Sequence, residues 1–534
     1  MKTRVRVVNM IPRSVSNETN QDSEANLAVH PLEPRRIAGT TSITPDPGGS
    51  TFAPIFLSHD RGQTWTMNPL IPGSSLPTFG TGDVTLRFSR HELCVSELRA
   101  DTGNLNVLRT PDPFSASSLQ LLDFRTGPDQ PYVEALTVPH GVDEGKDRAY
   151  VGYNDLSLIG ATASVDISAD DAAVVSTFNP AVVEFRATSG QNGPAVRPAI
   201  HRSGKVYAAF FGWRPPSGSG SSDVVVVRDD HWATGATPFR DLVDSGDGIP
   251  GQRVVINVNL PFAAPLGFER IGNDLSLAVD PRESSRLFIA WCDQQAGGYT
   301  LHVRRSDDAG QTWSADLLSV VSVTNPSISV NDDGIAGILY QQLTGSGASQ
   351  RWETHARFLG HTLAWHDHVL VTTPANTPLP NPSIGPYLGD YTHFMAHGDD
   401  FYGAFTANNT PDLANFPHGV HYQRNADFTT KTLLDVTGTT SVPISIDPFF
   451  VHISWEHEEE KEREHEERLG FDKVRVRGLR YEKKLEIEEL EFTLDDSPGL
   501  MREAKRDFRD LLEHLLDELD EHREHKRHEG KHNK

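Results

Sequence analysis

Acidic and amide residues stand at the head of several short apolar runs in this 534-residue chain. Glu24, Asp83, Asp129, Asp274, Asn325 and Asp390 each introduce such a run, Tyr391 follows Asp390, and Arg197 opens another. Brought to one place, these side chains would ring a polar ligand or a cation with carboxylates, one guanidinium and one phenol. The plainer use of Asp and Asn at such positions is to cap the turn that leads into a strand. Metal-ligating residues are sparse elsewhere. His361, His366 and His368 lie around Trp365, but His366-Asp-His368 offers too few ligands at strand spacing for zinc. Residues 244–248 and 331–334 hold oxygens of the kind Ca²⁺ takes, without a full set, and read better as turns. No cofactor is expected, Ca²⁺ being the one ion the pattern could serve. The histidines of the tail, among them His514, His522 and His528, read as a solvated helix end.

The elements that must position the ring are announced by repeats. Residues 58–65 read Ser-His-Asp-Arg-Gly-Gln-Thr-Trp and residues 306–313 read Ser-Asp-Asp-Ala-Gly-Gln-Thr-Trp, six identities in eight positions. In each octet an aspartate (Asp60, Asp308) caps a tight turn and a glycine (Gly62, Gly310) takes the left-handed position. A tryptophan (Trp65, Trp313) then dives back between sheets. A second repeat precedes each octet: Leu27-Ala-Val-His-Pro31 matches Leu277-Ala-Val-Asp-Pro281. Looser strand–turn–strand phrases begin near Asp83, Gln130, Arg197, Asn325 and Asp390. With those at Glu24 and Asp274 there are seven, roughly 50 to 80 residues apart. This predicts an all-β chain, a β-propeller of four-stranded antiparallel blades. The phrases count seven blades, or six if one phrase is the second half of a neighbour's blade. Residues 4–8 (Arg-Val-Arg-Val-Val) offer a strand to close the ring.

On the two octets and the blade phrases, residues 20–450 resemble the sialidase superfamily, in which this octet is the Asp-box or BNR repeat. Bacterial sialidase-like proteins are the members they are most like. The resemblance implies ligand binding at the central mouth, with the Asp-boxes at the blade periphery. Catalytic members clamp a substrate carboxylate with three arginines, attack with a tyrosine paired to a glutamate, and use an aspartate as acid. Carried onto this sequence, Arg197 lies in the ring, with Arg87, Arg270 and Arg304 as companions. Tyr391 is the tyrosine, Glu269 or Glu134 its partner, and Asp390 and Asp83 are the acid–base carboxylates. The sequence departs from the family in lacking its Arg-Ile-Pro motif; Arg36-Ile-Ala38 is the nearest string. A mouth rich in carboxylates and poor in guanidiniums repels a sialic acid. Two readings follow, since fold alone does not fix function. One is a platform that binds a glycan or protein at the propeller mouth without sialidase activity, which the missing clamp favours. The other is an exo-glycosidase using mouth carboxylates and a tyrosine.

The propeller is expected over residues 1–453, a charged linker or helix over 454–470, and a small α+β extension over 471–534. In the extension, residues 473–494 alternate like a hairpin. Ser497-Pro498 then starts a helix with Leu500, Phe508, Leu511, Leu512, Leu515 and Leu519 on one face, which suits self-association. The formal charge is −24, and residues 456–534 hold 26 acidic and 18 basic side chains. Both parts are acidic, so nucleic acid and anionic membranes are poor partners. Cys94 and Cys292 lie in apolar runs and read as buried free thiols. The sequence shows no export signal and no membrane span, so the expected location is cytoplasmic, with the cell surface or exterior as the second choice.

Overall fold

The computed structural model describes residues 3–41, 53–72, 81–99, 102–168, 171–172, 178–190, 196–214, 220–261, 266–267, 269, 275–360, 364–377, 388–455, 472–475 and 491–494. The chain divides into two units, residues 4–454 and a second formed by 1–3 with 455–534. In the larger unit seven large sheets follow one another along the sequence, and a small three-stranded sheet (Ala426–Asp427, Thr432–Leu434, Ser441–Val442) is inserted within the last. Their first strands are Asn26–Val29, Thr81–Phe88, Pro128–Thr137, Arg197–Ile200, Leu275–Asp280, Val323–Val330 and His393–His397. Each first strand packs beside the next, and the last packs beside the first, so the seven sheets close into a ring. We number the blades 1 to 7 in this order. All seven sequence phrases fall on the first two strands of a blade.

Blades 1 to 6 are four-stranded antiparallel meanders in chain order. Blade 7 is built from both ends of the unit. His393–His397, Asp400–Asn408 and Ile446–Trp455 come from the C-terminal side, and Thr3–Asn9 adds the fourth strand. His421–Tyr422 then pairs parallel to Thr3–Asn9. The N-terminal strand therefore closes the ring, as residues 4–8 predict.

The apolar core is split into layers between adjacent blades. Leu57, Val84, Leu86 and Val95 fill the space between blades 1 and 2, and Val165, Phe210, Val225 and Val227 that between blades 3 and 4. First and second strands are buried on both faces and read as continuous apolar runs, whereas an outer strand such as Gln120–Thr126 is largely exposed. Each layer seals a blade to its neighbour, which is how a chain this long avoids needing one oversized core.

The octets occupy the turn between third and fourth strands of blades 1 and 5. Their bonding is the same in both. Thr64 N donates to Asp60 Oδ1 at 2.9 Å and Thr64 Oγ1 to Asp60 Oδ2 at 2.6 Å, while Trp65 Nε1 donates to Gly62 O at 3.1 Å. Thr312, Asp308, Trp313 and Gly310 repeat all three bonds at the same lengths. Because strands alternate in direction, these turns lie on the face opposite the starts of the first strands.

The smaller unit contains, among the described residues, one antiparallel pair, Asp472–Arg475 with Glu491–Leu494. Residues 456–470 of the expected charged linker or helix (454–470), and the apolar-faced helix from Ser497, lie outside the described residues.

Candidate functional site

The first strands enter the ring through a repeated irregularity. Glu24, Gln130 and Asn325 hold φ of 59°, 58° and 57°, a left-handed conformation uncommon for such side chains. In blades 2, 3 and 6 the pairing of the first strand with the second slips between Thr81 and Val84, Asp129 and Tyr132, and Thr324 and Ser327. A bulge of this kind re-aims the side chains that follow it. Here those side chains belong to the innermost strands, which surround the ring axis.

What they build is a polar plug across the axis. Arg87 of blade 2 pairs with Glu134 of blade 3 at 3.1 Å and also approaches Met395 Sδ of blade 7 at 3.8 Å. The Arg197 guanidinium of blade 4 lies over the Tyr132 ring at 4.3 Å and faces the Tyr391 ring at 5.8 Å, while its Nε donates to Leu275 O at 3.1 Å. Tyr132 and His393, on opposite sides of the ring, stand 6.1 Å apart between ring centroids.

Burial sets the protonation of the plug. His393 is pushed down to about 3 by burial, with the Arg87 and Arg197 charges adding to the effect. It therefore stays neutral, bonded to the Leu27 backbone through one nitrogen. Its Nδ1 is buried with no hydrogen-bond partner in the protein, and so is Gln130 Oε1 at the head of blade 3. Burial and the nearby Glu134 carboxylate raise the Tyr132 phenol, against the opposing pull of Arg197 and Arg87. Burial also raises Glu134, with Arg87 opposing. A phenol held in its neutral form is a poor nucleophile.

A second cluster holds the segment that leads into blade 7. Glu24 Oε1 accepts from Asp390 N at 3.3 Å, Asn325 Nδ2 donates to Gly389 O at 2.8 Å, and Thr392 Oγ1 donates to Asn325 O at 2.8 Å. Leu388 N donates to Glu269. Gly389 has φ +110°, and a Cβ there would stand 2.4 Å from Glu24 N. Blade 6 and the segments that lead into blades 1 and 5 thus fix residues 388–392.

Of the ring read from sequence, the structure joins Arg197 with Tyr391, and Glu24, Asn325 and Asp390 around residues 388–392. Asp83 is buried at the head of blade 2, and Asp129 caps its own neighbour, accepting from Gln130 N at 3.0 Å. Asp274 and Arg270 lie outside the described residues. Arg304 is not on the axis: it pairs with Asp316 at 2.7 Å on the outer strands of blade 5. Tyr132, Gln130 and His393 were not singled out as site residues. Their signal was the period of two, because Tyr132 shares one strand face with Glu134 and His393 stands two residues after Tyr391.

The metal-like patterns are otherwise engaged. Asp244 and Asp247 pair with Arg186 and Arg253, and Asn331 Oδ1 caps Asp333 N and Ile335 N. His368 faces His418 at 5.3 Å; His361 lies outside the described residues. Among the described residues Glu18, Asp22 and Asp447 place carboxylate oxygens within 4.8 Å of one another. The Arg424 guanidinium sits between Glu18 and Asp447 at 3.3 and 2.8 Å, so a cation is already supplied by the protein.

No protein-family model matches the chain, and no curated protein is similar to it. Among solved structures it is similar to a GH74 enzyme of Niastella koreensis at 14% identity and TM-score 0.34, covering 74% of this chain and 64% of that one. It is also similar to the phage phi92 endosialidase at 10% identity and TM-score 0.35, covering 92% and 75%. For Sqt1 of Chaetomium thermophilum the values are 12% and 0.37, covering 74% and 84%. The chain spans less than two thirds of the GH74 enzyme's length. None of these similarities assigns an activity to this chain.

Proposed function

We propose that the larger unit is a binding platform whose mouth takes a neutral, hydroxyl-rich ligand such as a glycan, without sialidase chemistry. The observation that supports this reading is the state of the plug. Its two arginines are engaged, Arg87 by Glu134 and Arg197 by two tyrosine faces and the Leu275 carbonyl. A carboxylate ligand wants bidentate guanidinium forks, and these two are turned to other uses. The buried groups with no protein partner at the plug, Gln130 Oε1 and His393 Nδ1, are acceptors that suit donated hydroxyls. The raised Tyr132 phenol speaks against a tyrosine nucleophile at that position.

The second reading is an exo-glycosidase in which Asp390 and Tyr391, fixed together at the start of blade 7, serve the reaction. One experiment separates the two: the full chain is tested on a glycan array and on chromogenic glycosides that include a sialoside. Retention of neutral glycans with no turnover is the expected result. Turnover that disappears in an Asp390→Asn, Tyr391→Phe variant of native fold would overturn the platform reading.

A further inference from the structure

The two octets carry the same turn with different charges around it, on the face opposite the starts of the first strands. In blade 1 Arg61 N donates to Arg35 O at 3.1 Å, and the Arg6 guanidinium of blade 7 approaches Arg61 O at 3.5 Å. Blade 5 repeats both contacts with other residues. Ala309 N donates to Ser285 O at 2.8 Å, and the Arg228 guanidinium of blade 4 donates to Ala309 O at 2.8 Å. Arg61 and Ala309 share a φ of 59°, and their turns share the same aspartate–threonine bonds. The turn therefore does not require an arginine. Arg35 and Arg61 add two charges that the same backbone does without in blade 5.

Carboxylates are missing where these arginines gather. In blade 5 Arg228 meets Asp230 at 2.9 Å, and Arg286 meets Asp280 and Asp307 at 3.1 and 3.0 Å. Blade 1 has His30 and His59 at the places of Asp280 and Asp307. Among the described residues no ion pair joins Arg6, Arg35 or Arg61 to a carboxylate. Asp60 lies close, but its own turn holds both oxygens: Oδ1 accepts from Ser58 Oγ, Gln63 N and Thr64 N, and Oδ2 from Thr64 Oγ1. Burial lowers the Arg6 guanidinium, and Arg4 and Arg61 add to this, with Asp60 and Tyr402 opposing. Arg35 and Arg61 are exposed and Arg6 is half-buried, so the cluster is open to solvent. Guanidinium forks left without a carboxylate match an oxyanion, and a phosphate group offers three acceptor oxygens to share among them.

We infer that the seam between blades 7 and 1 on this face binds a single phosphate group, as the free ion or as a monoester, held by Arg6, Arg35 and Arg61. The half-buried Arg6 forms the base of the site, and the exposed Arg35 and Arg61 form its arms. A single group fits better than a polyanion, because the chain as a whole carries a formal charge of −24 and repels a long anion. The site lies on the face opposite the one proposed to take a glycan and does not depend on that reading.

The test is calorimetry on the full chain in HEPES at pH 7 and constant ionic strength, with inorganic phosphate, methyl phosphate and acetate as titrants. The expected result is saturable binding of inorganic phosphate and binding of acetate weaker by about tenfold or more. An Arg35→Ser, Arg61→Ala variant matches the residues that blade 5 carries at these places. Its phosphate affinity falls by about tenfold or more, while its unfolding midpoint without phosphate is unchanged or higher, since like charges have been removed. Methyl phosphate that binds as inorganic phosphate does assigns the site to an ester, and methyl phosphate that fails to bind assigns it to the free ion. Acetate binding as tight as that of phosphate, phosphate binding that does not saturate, or full phosphate affinity in the variant would overturn the inference. The comparison of phosphate with acetate uses the wild type alone, so a variant that fails to fold leaves the test intact.

Discussion

Gly62 and Gly310 hold the same place in two octets of the same bonding, yet their surroundings differ. Both sit at positive φ, 77° and 89°, where an alanine is strained in either turn. At Gly62 a Cβ would stand 2.1 Å from the Phe450 ring of blade 7; at Gly310 it would stand 3.0 Å from a Leu242 methyl, which can swing away. Gly310→Ala is expected to cost about 1–2 kcal/mol, the backbone strain alone. Gly62→Ala should cost about 3 kcal/mol or more, because the ring of Phe450 must also shift. Urea unfolding of both variants checks this: equal losses would mean that the blade 1–blade 7 contact at Phe450 yields more readily than the packing implies.

Blades 5, 6 and 7 share a device at the level of paired strands. A histidine on the third strand stacks on the aromatic residue directly opposite it on the second: His302 on Trp291, His355 on Tyr340 and His452 on Tyr402. Ring centroids are 5.0, 5.0 and 4.6 Å apart. Each histidine also meets an aspartate, Asp316 at 2.7 Å, Asp367 at 3.0 Å and Asp400 at 2.8 Å. In blade 5 burial lowers His302 but is outweighed by Asp293 and Asp316, which raise it to about 9. A histidine whose folded value lies above its unfolded one stabilises fully below about pH 6.5, and that stabilisation is lost as pH rises through about 9. The urea midpoint of the wild type should therefore fall between pH 6 and pH 10 by more than that of His302→Gln, a difference on the order of 2 kcal/mol. Parallel pH profiles for the two proteins would remove the ion pair from the account of blade 5.

At the scale of the whole ring, stability rests on its closure. The N-terminal segment brings Asn9 and Glu18 to blade 7, and the C-terminal segment brings Asn409, Arg424 and Asp447. Asn9 donates to Asp447 at 2.7 Å, Asn409 donates to Asp447 at 2.6 Å, and fully buried Arg424 joins Glu18 to Asp447. Burial and Asp447 hold Glu18 well above the usual carboxylate range, with Arg424 opposing. An acid raised in the folded state stabilises most below its unfolded value, and that stabilisation is lost as pH rises through the folded value. Two outcomes are expected in thermal unfolding. Arg424→Met costs about 3–5 kcal/mol, because it strands buried carboxyls. Glu18→Gln flattens the loss of stability on the alkaline side. Proteolysis that frees the N-terminal strand first in Arg424→Met would place the damage at the closure; cleavage elsewhere would not.

The sequence by itself determined the blade repeat. Two octets with six shared identities required the same turn twice, since only a short acceptor at Asp60 and Asp308 and a glycine two residues on can make it. Short apolar runs broken by polar turns then marked the first two strands of each blade, and residues 4–8 the strand that closes the ring. It also placed Arg197 and Tyr391 in one ring, because both stand at a blade's start. What it could not decide was where each polar side chain goes once seven strand starts converge. Arg87 pairs with a carboxylate on the first strand of the next blade, Arg304 turns outward to Asp316, and Tyr132 rather than Tyr391 lies closer to the Arg197 guanidinium. The stacked histidines and the closure around Arg424 were invisible for the same reason: their partners lie 11 to 438 residues apart along the chain. Local pattern fixes which backbone conformation a segment takes. Only the closed ring fixes which charges share a dry space, and so which of them neutralise one another and which remain for a ligand.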